Sequence, residues 1–395
     1  MTTLHGSTAL LRNARIVLPE RIAEQASLLI QDGRIARVFD STISESPAVD
    51  SVIDLDGLTL FPAFIDAHIH GAAGVDVMDA SADDLHQVSE FLVSQGVTAW
   101  LPTVVPGSQE QYSCAVRAIG ELMHREVGAR VLGVHYEGPF VNAEQCGALH
   151  HEHFRQFRSA ADLDALPKIG DESSVHMMTL APEIDGGLEL VRELILRGWI
   201  VSLGHTRATV AVLERAYEAG ARHMTHFMNA MAPLHHRAPG PVGWGLSHTD
   251  VTCDLIADGV HLDPFMLRLL LRLKTPEQLS LISDSIAATG LGDGEYQIWG
   301  ETISVTNGRT QNSRGSIAGS VITMLDAVRM MMSLGVAETD VARMASTNPS
   351  RLLGIDQDCS SIEEGKRADM VALDSDRQVR LTLVGGRVAH DARGA

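Results

Sequence analysis

The chain has 395 residues, of which 45% are hydrophobic and 21% charged, so it can bury a large core and is not disordered throughout. Its 50 acidic residues against 31 Lys and Arg give a net charge of −19, which argues against nucleic acid and anionic membranes as main partners. Four scattered cysteines exclude a disulfide framework and a Cys-type zinc site. The N-terminal residues lack the pattern of a signal peptide, and no apolar stretch approaches the ~20 residues that cross a bilayer. We therefore expect a soluble, cytoplasmic protein.

Both ends of the chain alternate apolar and polar residues, as in SLLIQDGRIARVF near the start and QVRLTLVGGRVAHD near the end. Asp32-Gly33 and Gly385-Gly386 mark tight hairpin turns within these segments. Isolated hairpins are marginal in water. We therefore expect residues 1–58 and 356–395 to pair into one small β-sandwich domain.

Residues 59–355 show apolar strands that alternate with helical segments such as GGLELVRELILRG. Eight strands are predicted, in IDAHIH, VTAWLPTV, VLGVHYEG, VHMMTLAP, WIVSLGHT, HMTHFMNA, VTCDLIAD and LSLISDS. Near-continuous apolar strands separated by helices indicate a parallel sheet covered by helices. Eight of them predict an α/β fold, the (β/α)8 TIM-like barrel.

Polar residues stand at the predicted ends of these strands, where catalytic groups of such barrels lie. They are His68, His70, His135, Glu137, His205, His226, Asn229 and Asp284, with His261 in the loop after strand seven. Strand side chains alternate with period two, so both imidazoles of the His68-Ile69-His70 motif face inward. Imidazole together with carboxylate oxygen suits divalent metals such as Zn, Fe, Mn or Co.

Each of these residues has a simpler interpretation when taken alone. A single inward histidine is more often a hydrogen-bonded core residue than a ligand, and Asp284 could cap a turn. Their joint occurrence decides the matter, because burying four histidines and two carboxylates together without a cation would be very unfavourable. The pattern predicts a metal-dependent hydrolase site in which Asp284 shuttles a proton.

Motifs along almost the whole chain resemble the amidohydrolase superfamily and, within it, the family of N-acetylglucosamine-6-phosphate deacetylases. They include PAFIDAHIHGAAGVDVMDA, HYEGPF, LAPE, SLGHTRAT, THFMNAMAPLHHRAPG, LIADGVHLDP, ISDSIAATG, GSIAGS, STNPSRLLG and GKRADMVALD. The resemblance implies metal-dependent hydrolysis of the N-acetyl group of N-acetyl-D-glucosamine 6-phosphate, giving glucosamine 6-phosphate and acetate. It also implies a homodimer.

The resemblance implies roles for individual residues. Glu137, His205 and His226 would hold the main metal, and His68 with His70 makes a second ion possible, so we expect one or two ions per subunit, with zinc favoured. Asp284 matches the catalytic acid and base. Substrate contacts are implied for Ala148, His150, Asn229, Ala230, Arg237, His261, Ile317, Ala318 and Gly319. The planar Arg237 guanidinium suits phosphate oxygens, and in this family it can reach the neighbouring subunit's site.

One departure concerns the loop after Glu137. The family usually continues to Lys-Gly-Ala-His, whose histidine is thought to polarise the substrate carbonyl. Here Leu149 occupies that position and His150 follows one residue later. Either the loop presents His150 or the substrate differs from the usual one.

Other functions remain open from the sequence. The nearest is a deacetylase for the galactosamine epimer, and a further one is a deaminase or an N-acyl-amino-acid hydrolase, against which Arg237 and the HFMNAM motif argue. The third is a non-catalytic binder of sugar phosphate. Asp284 opposes it, because a structural zinc site prefers four closed ligands and no spare base.

Overall fold

A computed structural model describes residues 8–41, 48–125 and 128–394 of the chain. Its strands, numbered in chain order, are β1 (Thr8–Val17), β2 (Ile22–Gln31), β3 (Arg34–Phe39), β4 (Ser51–Asp54), β5 (Thr59–Pro62), β6 (Phe64–Ile69), β7 (Gly71–Ala72), β8 (Val75–Asp76), β9 (Val97–Val104), β10 (Arg130–Val131), β11 (Gly133–Glu137), β12 (Val175–Leu180), β13 (Ile200–Leu203), β14 (His223–Met224), β15 (Thr252–Ile256), β16 (Leu279–Ile282), β17 (Gly294–Ile298), β18 (Glu301–Thr306), β19 (Arg309–Gln311), β20 (Met370–Leu373), β21 (Val379–Val384) and β22 (Arg387–Asp391).

The α-helices are α1 (Ala82–Ser94), α2 (Gln109–Met123), α3 (Ala160–Asp164), α4 (Gly187–Leu196), α5 (Val210–Glu218), α6 (Gly240–Ser247), α7 (Pro264–Leu273), α8 (Met324–Ser333), α9 (Glu338–Ala342) and α10 (Asn348–Leu352). Short 3-10 turns occupy Ala143–Gln145, His151–His153 and Pro276–Gln278, and a π-helical turn spans Arg343–Thr347. In the described part of the chain, no helix is long and apolar enough to cross a membrane.

Eight parallel strands form the barrel in the order β6, β9, β11, β12, β13, β14, β15 and β16. The ring closes where the Asp284 N–H donates to the His68 carbonyl at 3.0 Å and the His70 N–H donates to the Ser285 carbonyl at 2.8 Å. The TIM-like barrel prediction is confirmed, and each of the eight predicted strands overlaps an observed one. β14 is shorter than predicted, so His226 and Asn229 lie in the turn that follows it.

Helices cover the outside of the barrel because their sequences supply both a start signal and an apolar face. In α1, Ser81 and Asp84 form a reciprocal capping box, in which the Ser81 Oγ accepts from the Asp84 N–H and the Asp84 carboxylate accepts from the Ser81 N–H. Leu85, Val88 and Leu92 recur at helical spacing and are buried. This packing leaves the carboxyl ends of the strands as the open mouth of the barrel.

The two ends of the chain share one sheet of eight strands, β1 to β5 with β20 to β22. β20 pairs antiparallel with β5, placing Val371 opposite Phe61. Asp32 and Gly33 both have positive φ, at 51° and 75°, as a two-residue hairpin turn requires. A separate β-rich domain made from both ends is therefore confirmed, whereas its boundaries at 58/59 and 355/356 stay a prediction. β5 belongs to this sheet and leads directly into the first barrel strand.

A three-stranded sheet of β17, β18 and β19 follows the last barrel strand and was absent from the sequence predictions. Its signal was the Asn307-Gly308 pair, a strong hairpin turn that joins β18 to β19. Trp299, in the first turn of this sheet, packs edge-on against the His70 ring at 5.3 Å between centroids. The sheet therefore reaches the mouth of the barrel.

Candidate active site

Six buried side chains, the six-residue cluster, meet at the mouth of the barrel: His68, His70, Glu137, His205, His226 and Asp284. The first half of the cluster surrounds Oε1 of Glu137. His205 Nε2 lies 2.8 Å and His226 Nε2 lies 2.9 Å from this oxygen, and the two Nε2 atoms are 3.2 Å apart. Three potential ligand atoms therefore converge on one point.

In the second half of the cluster, His70 faces the other oxygen of the same glutamate, whereas His68 Nε2 lies nearest to Oε1, at 3.7 Å. His70 Nε2 lies 3.3 Å from Glu137 Oε2 and 3.2 Å from His68 Nε2. Oδ1 of Asp284 lies 3.1 Å from His70 Nε2 and 3.3 Å from His68 Nε2. Glu137 thus joins two groups of potential metal ligands, one with His68 and His70 and the other with His205 and His226.

Hydrogen bonds at Nδ1 of His205 and His70 indicate which tautomer each ring adopts, and so whether Nε2 can bind a metal. His205 Nδ1 lies 2.7 Å from the Gln145 carbonyl and His70 Nδ1 lies 3.2 Å from the Thr103 carbonyl, and a carbonyl can only accept. A neutral ring that donates from Nδ1 carries a lone pair on Nε2, the atom that faces the carboxylates. Such lone pairs facing carboxylate oxygens repel unless a proton or a metal cation lies between them.

The spacing also fits a metal. Bonds of about 2.0–2.1 Å in a tetrahedral zinc site place neighbouring ligand atoms about 3.3 Å apart. Nearest ligand atoms in the cluster are 2.8 to 3.3 Å apart, around both oxygens of Glu137. The residues present therefore fit a divalent cation, in donor type, tautomer and distance.

Electrostatics at the cluster favour positive charge. Burial alone would raise the pKa of Glu137, but His68, His205 and His226 hold it well below its usual value. Burial would also raise the pKa of Asp284, which His68 and His70 instead lower. Conversely, burial would lower the pKa of His70, whereas Asp284 and Glu137 raise it to about 10. Both carboxylates are therefore ionised at neutral pH and attract positive charge, which is either a proton on His70 or a divalent cation that replaces this proton.

Three residues of the cluster have a strained backbone, with positive φ at His205 (47°), His226 (29°) and Asp284 (50°). Such conformations cost about 1–3 kcal/mol each and persist only where the surroundings hold them. At Asp284, the Ser320 N–H donates to its carbonyl at 2.7 Å. Gly319 has φ 53°, and a Cβ there would lie only 2.9 Å from the Asp284 carbonyl oxygen. The Ile317–Gly319 stretch therefore packs directly on the backbone of Asp284.

His135 and His261, which the sequence analysis grouped with the metal-ligand candidates, contact residues outside the six-residue cluster. His135 is buried, and its Nε2 lies 2.8 Å from the Thr179 hydroxyl, in a layer beneath the cluster because it precedes Glu137 by two strand positions. Burial is the main reason why the pKa of His135 lies well below its usual value. His261 donates from Nδ1 to Asp258 at 2.7 Å.

The predicted substrate residues fall into two groups. Asn229 and Ala230 lie beside the cluster, since the Asn229 N–H donates to the His226 carbonyl at 2.9 Å and the Ala230 carbonyl accepts from Thr206. Arg237 lies in a loop whose residues 233–239 are all exposed, with its Nη1 2.6 Å from His236 Nε2. Arg237 therefore sits on the outside of the subunit.

The loop that departs from the family pattern also has a defined arrangement. Leu149 is buried in the main hydrophobic core, and the carbonyl of Ala148 accepts from Arg314 at 2.7 Å. His150 places Nδ1 3.2 Å from Glu152 and Nε2 3.6 Å from Glu301. Both ring nitrogens of His150 thus face carboxylates, one of which belongs to the three-stranded sheet.

The sequence analysis did not identify the residues that hydrogen-bond to the segments carrying the cluster. Asp66 is buried, accepts from the Ser283 hydroxyl at 2.5 Å and so ties β6 to the segment that carries Asp284. Strand alternation could have found it, because Asp66, His68 and His70 share one face. Glu183 joins two loops beside His205, and only its place in the LAPE motif marked it. The carbonyls of Thr103 and Gln145 leave no signal in the sequence.

A parallel barrel with imidazoles and carboxylates converging at its mouth defines the class of metal-dependent barrel hydrolases. The model of the amidohydrolase family matches residues 59–389. The chain belongs to this family, and membership implies the use of a divalent metal.

Close relatives support the same placement. The chain is 36% identical to N-acetylglucosamine-6-phosphate deacetylase of Bacillus subtilis, over 99% of both chains. It is 37% identical to N-acetylgalactosamine-6-phosphate deacetylase of Escherichia coli O157:H7, over 97% of this chain and 99% of that one. A similar solved structure is a mutant N-acetyl-D-glucosamine-6-phosphate deacetylase from Mycobacterium smegmatis in complex with N-acetyl-D-glucosamine-6-phosphate. It has TM-score 0.88 and 29% identity, over 97% of this chain and 100% of that one.

Proposed function

We propose that the chain hydrolyses the N-acetyl group of N-acetyl-D-glucosamine 6-phosphate to give glucosamine 6-phosphate and acetate. The observation that carries the proposal is the convergence of Asp284 and two pairs of imidazoles on Glu137 at the barrel mouth. Sugar-phosphate deacetylases that align with almost the whole chain supply the substrate class. The enzyme would act in amino-sugar catabolism.

Asp284 is the residue to which we assign proton transfer. Its carboxylate is ionised at neutral pH, because nearby imidazoles lower its pKa, so it can accept a proton from the attacking water. It would then donate that proton to the departing amine nitrogen, since an amide anion is a very poor leaving group. A divalent cation held at the cluster would polarise the acyl oxygen and lower the pKa of a water.

The metal that we favour is zinc, at one or two ions per subunit. Glu137, His205 and His226 would hold the main ion, and His68 and His70 with the other oxygen of Glu137 would hold a second. Iron, manganese and cobalt share the preference for imidazole and carboxylate ligands. Metal analysis of the purified protein, together with reactivation of metal-free protein by each ion, distinguishes these choices.

The galactosamine epimer is the second candidate substrate, and the relative from Escherichia coli O157:H7 is the observation that favours it. The two sugars differ in the orientation of one hydroxyl. Acetate release should be compared for both N-acetyl sugar phosphates, for unphosphorylated N-acetylglucosamine and for an N-acetyl amino acid. The proposal fails if the metal-loaded enzyme releases acetate from neither sugar phosphate.

We also propose a homodimer in which Arg237 binds the 6-phosphate in the partner's site. Arg237 is exposed on its own subunit, and Leu234 in the same loop is 57% exposed. Mixing Asp284→Asn subunits with Arg237→Ala subunits tests this arrangement. Each mixed dimer would contain one site with both residues intact, so activity should exceed that of either variant alone. A purely additive mixture would assign Arg237 to its own subunit.

The other residues that the resemblance implies are proposed substrate contacts near the six-residue cluster. They are Ala148, His150, Asn229, Ala230, His261, Ile317, Ala318 and Gly319. We place the enzyme in the cytoplasm, and four free cysteines are compatible with a reducing compartment.

A further inference from the structure

We propose that Glu183 is a positioning residue, which fixes the ring and backbone of His205 so that Nε2 points into the six-residue cluster. Glu183 lies in the turn after β12 and belongs neither to the cluster nor to the proposed substrate contacts. The inference rests on the proposed metal site, because His205 needs a fixed ring only if it binds a cation.

Three donors converge on the carboxylate of Glu183. The Thr206 hydroxyl donates to Oε2 at 2.6 Å, and the Arg207 N–H donates to Oε1 at 2.6 Å. The Asn142 side-chain amide donates to Oε1 at 2.8 Å. Hydrogen bonds to an ionised acceptor are about twice as strong as neutral ones. One side chain therefore joins the loop after β11 to the loop after β13.

His205 lies between these two loops. The Asn142 N–H donates to the His205 carbonyl at 3.0 Å, which fixes the backbone. The His205 ring donates from Nδ1 to the Gln145 carbonyl at 2.7 Å, which fixes the ring. Asn142 and Gln145 belong to one short turn, in which the Gln145 N–H donates to the Asn142 carbonyl. By holding Asn142, Glu183 places both contacts of His205.

The backbone of His205 shows why such support is needed. Its φ of 47° is unfavourable for a residue with a Cβ, so the conformation persists only where neighbouring contacts hold it. The bond from Nδ1 to Gln145 also selects the tautomer with a lone pair on Nε2, which lies 2.8 Å from Glu137. Losing the loop connection would release both the backbone and the tautomer.

The role requires a carboxylate and not merely a side chain of the same size. A glutamine at 183 would be uncharged, so its oxygen would accept from Arg207 and Asn142 only in weaker, neutral bonds. Its amide would face the Thr206 hydroxyl, which would have to stop donating and accept instead. Glu183→Gln therefore separates this role from packing. Asp185→Asn is the matched control, because Asp185 lies in the same turn and is exposed.

The experiment measures zinc affinity of metal-free protein by competition with a chromophoric chelator, alongside kcat and KM for N-acetyl-D-glucosamine 6-phosphate. Residues that orient metal ligands typically contribute 10–100-fold. We expect Glu183→Gln to weaken zinc binding and to lower kcat by about 10–100-fold, with KM little changed and Asp185→Asn equal to wild type. Thr206→Val removes the donor to Glu183 and also the acceptor of the Ala208 N–H. It should weaken zinc binding in the same direction, and it serves as the test if Glu183→Gln does not fold.

Two results would overturn the inference. Wild-type zinc affinity in Glu183→Gln, or in Thr206→Val if only that variant folds, removes the positioning role and leaves the proposed function intact. A wild-type protein that binds no divalent cation removes the proposed function and this inference with it. The two failures are therefore distinguishable.

Discussion

The six-residue cluster and the exposed loop at residues 233–239 are built in opposite ways. Every side chain of the cluster is buried and contacts at least one other member at 2.8 to 3.3 Å. The loop exposes all of its residues, and Arg237 contacts the adjacent His236. The cluster is therefore preorganised within one subunit, whereas the proposed binding of phosphate by Arg237 requires a partner subunit that covers the loop.

Replacing the proton carrier should give the largest effect and sharpen this comparison. We expect Asp284→Asn to lower kcat by about 10²–10⁴-fold, the range that general acid–base catalysis supplies, while metal is retained on the remaining ligands. Steady-state acetate release with metal analysis measures both, and Asp185→Asn again serves as the control. Near-full activity would remove Asp284 from the mechanism.

The exposed loop should give a smaller and more selective effect. Arg237→Ala removes a charge-assisted bond worth about 1.5–3 kcal/mol, so KM for the sugar phosphate should rise roughly 10–100-fold. KM for unphosphorylated N-acetylglucosamine should not change. Arg192→Ala, on the exposed face of α4, is the control. Equal effects on both sugars would contradict phosphate binding by Arg237.

Gly319 allows a test of whether the packing behind Asp284 matters for activity. Gly319→Ala places a Cβ 2.6 Å from Ile286 and 2.9 Å from the Asp284 carbonyl, at a φ of 53°. We expect the free energy of unfolding to fall by about 1–3 kcal/mol and kcat to fall as well. Gly308→Ala is the control, because φ at Gly308 is 72° but nothing lies within 4 Å of the added Cβ. This variant adds backbone strain without a steric clash, so its kcat should equal that of wild type. Equal losses of kcat would mean that contact with Asp284 is irrelevant.

The smallest predicted effect concerns Asp258, which accepts a hydrogen bond from His261, one of the proposed substrate contacts. Burial would raise the pKa of Asp258, but hydrogen bonds from His261 and from the N–H groups of Val260 and His261 lower it below the unfolded value of 3.8. A depressed pKa contributes stability above the unfolded pKa, and this stability is lost as pH falls through the folded pKa. The difference in unfolding free energy between wild type and Asp258→Asn should therefore be constant near pH 7 and narrow below pH 3.8. If the difference in unfolding free energy instead grew below pH 3.8, the pKa of Asp258 would be raised in the folded state and the prediction would be wrong.

The sequence allowed the barrel and the composition of the cluster to be predicted, because buried parallel strands place their carboxyl-end residues together and period two puts His68 and His70 on one face. It could not rank residues by depth, so His135 was grouped with the cluster although it lies one layer below. Contacts to backbone carbonyls, such as that of Gln145, could not be predicted, because every residue type has the same backbone carbonyl. The three-stranded sheet was not predicted despite its Asn307-Gly308 turn, because its strands are short and largely exposed and so lack a buried apolar run.

A divalent cation would be held by the imidazoles and Glu137, and zinc titration of exhaustively chelated enzyme tests this role of the cluster most directly. Acetate release from N-acetyl-D-glucosamine 6-phosphate should be absent before zinc is added. It should rise linearly and level off at one or two equivalents per chain. Full turnover by the chelated enzyme, confirmed by elemental analysis to hold no metal, would contradict the claim.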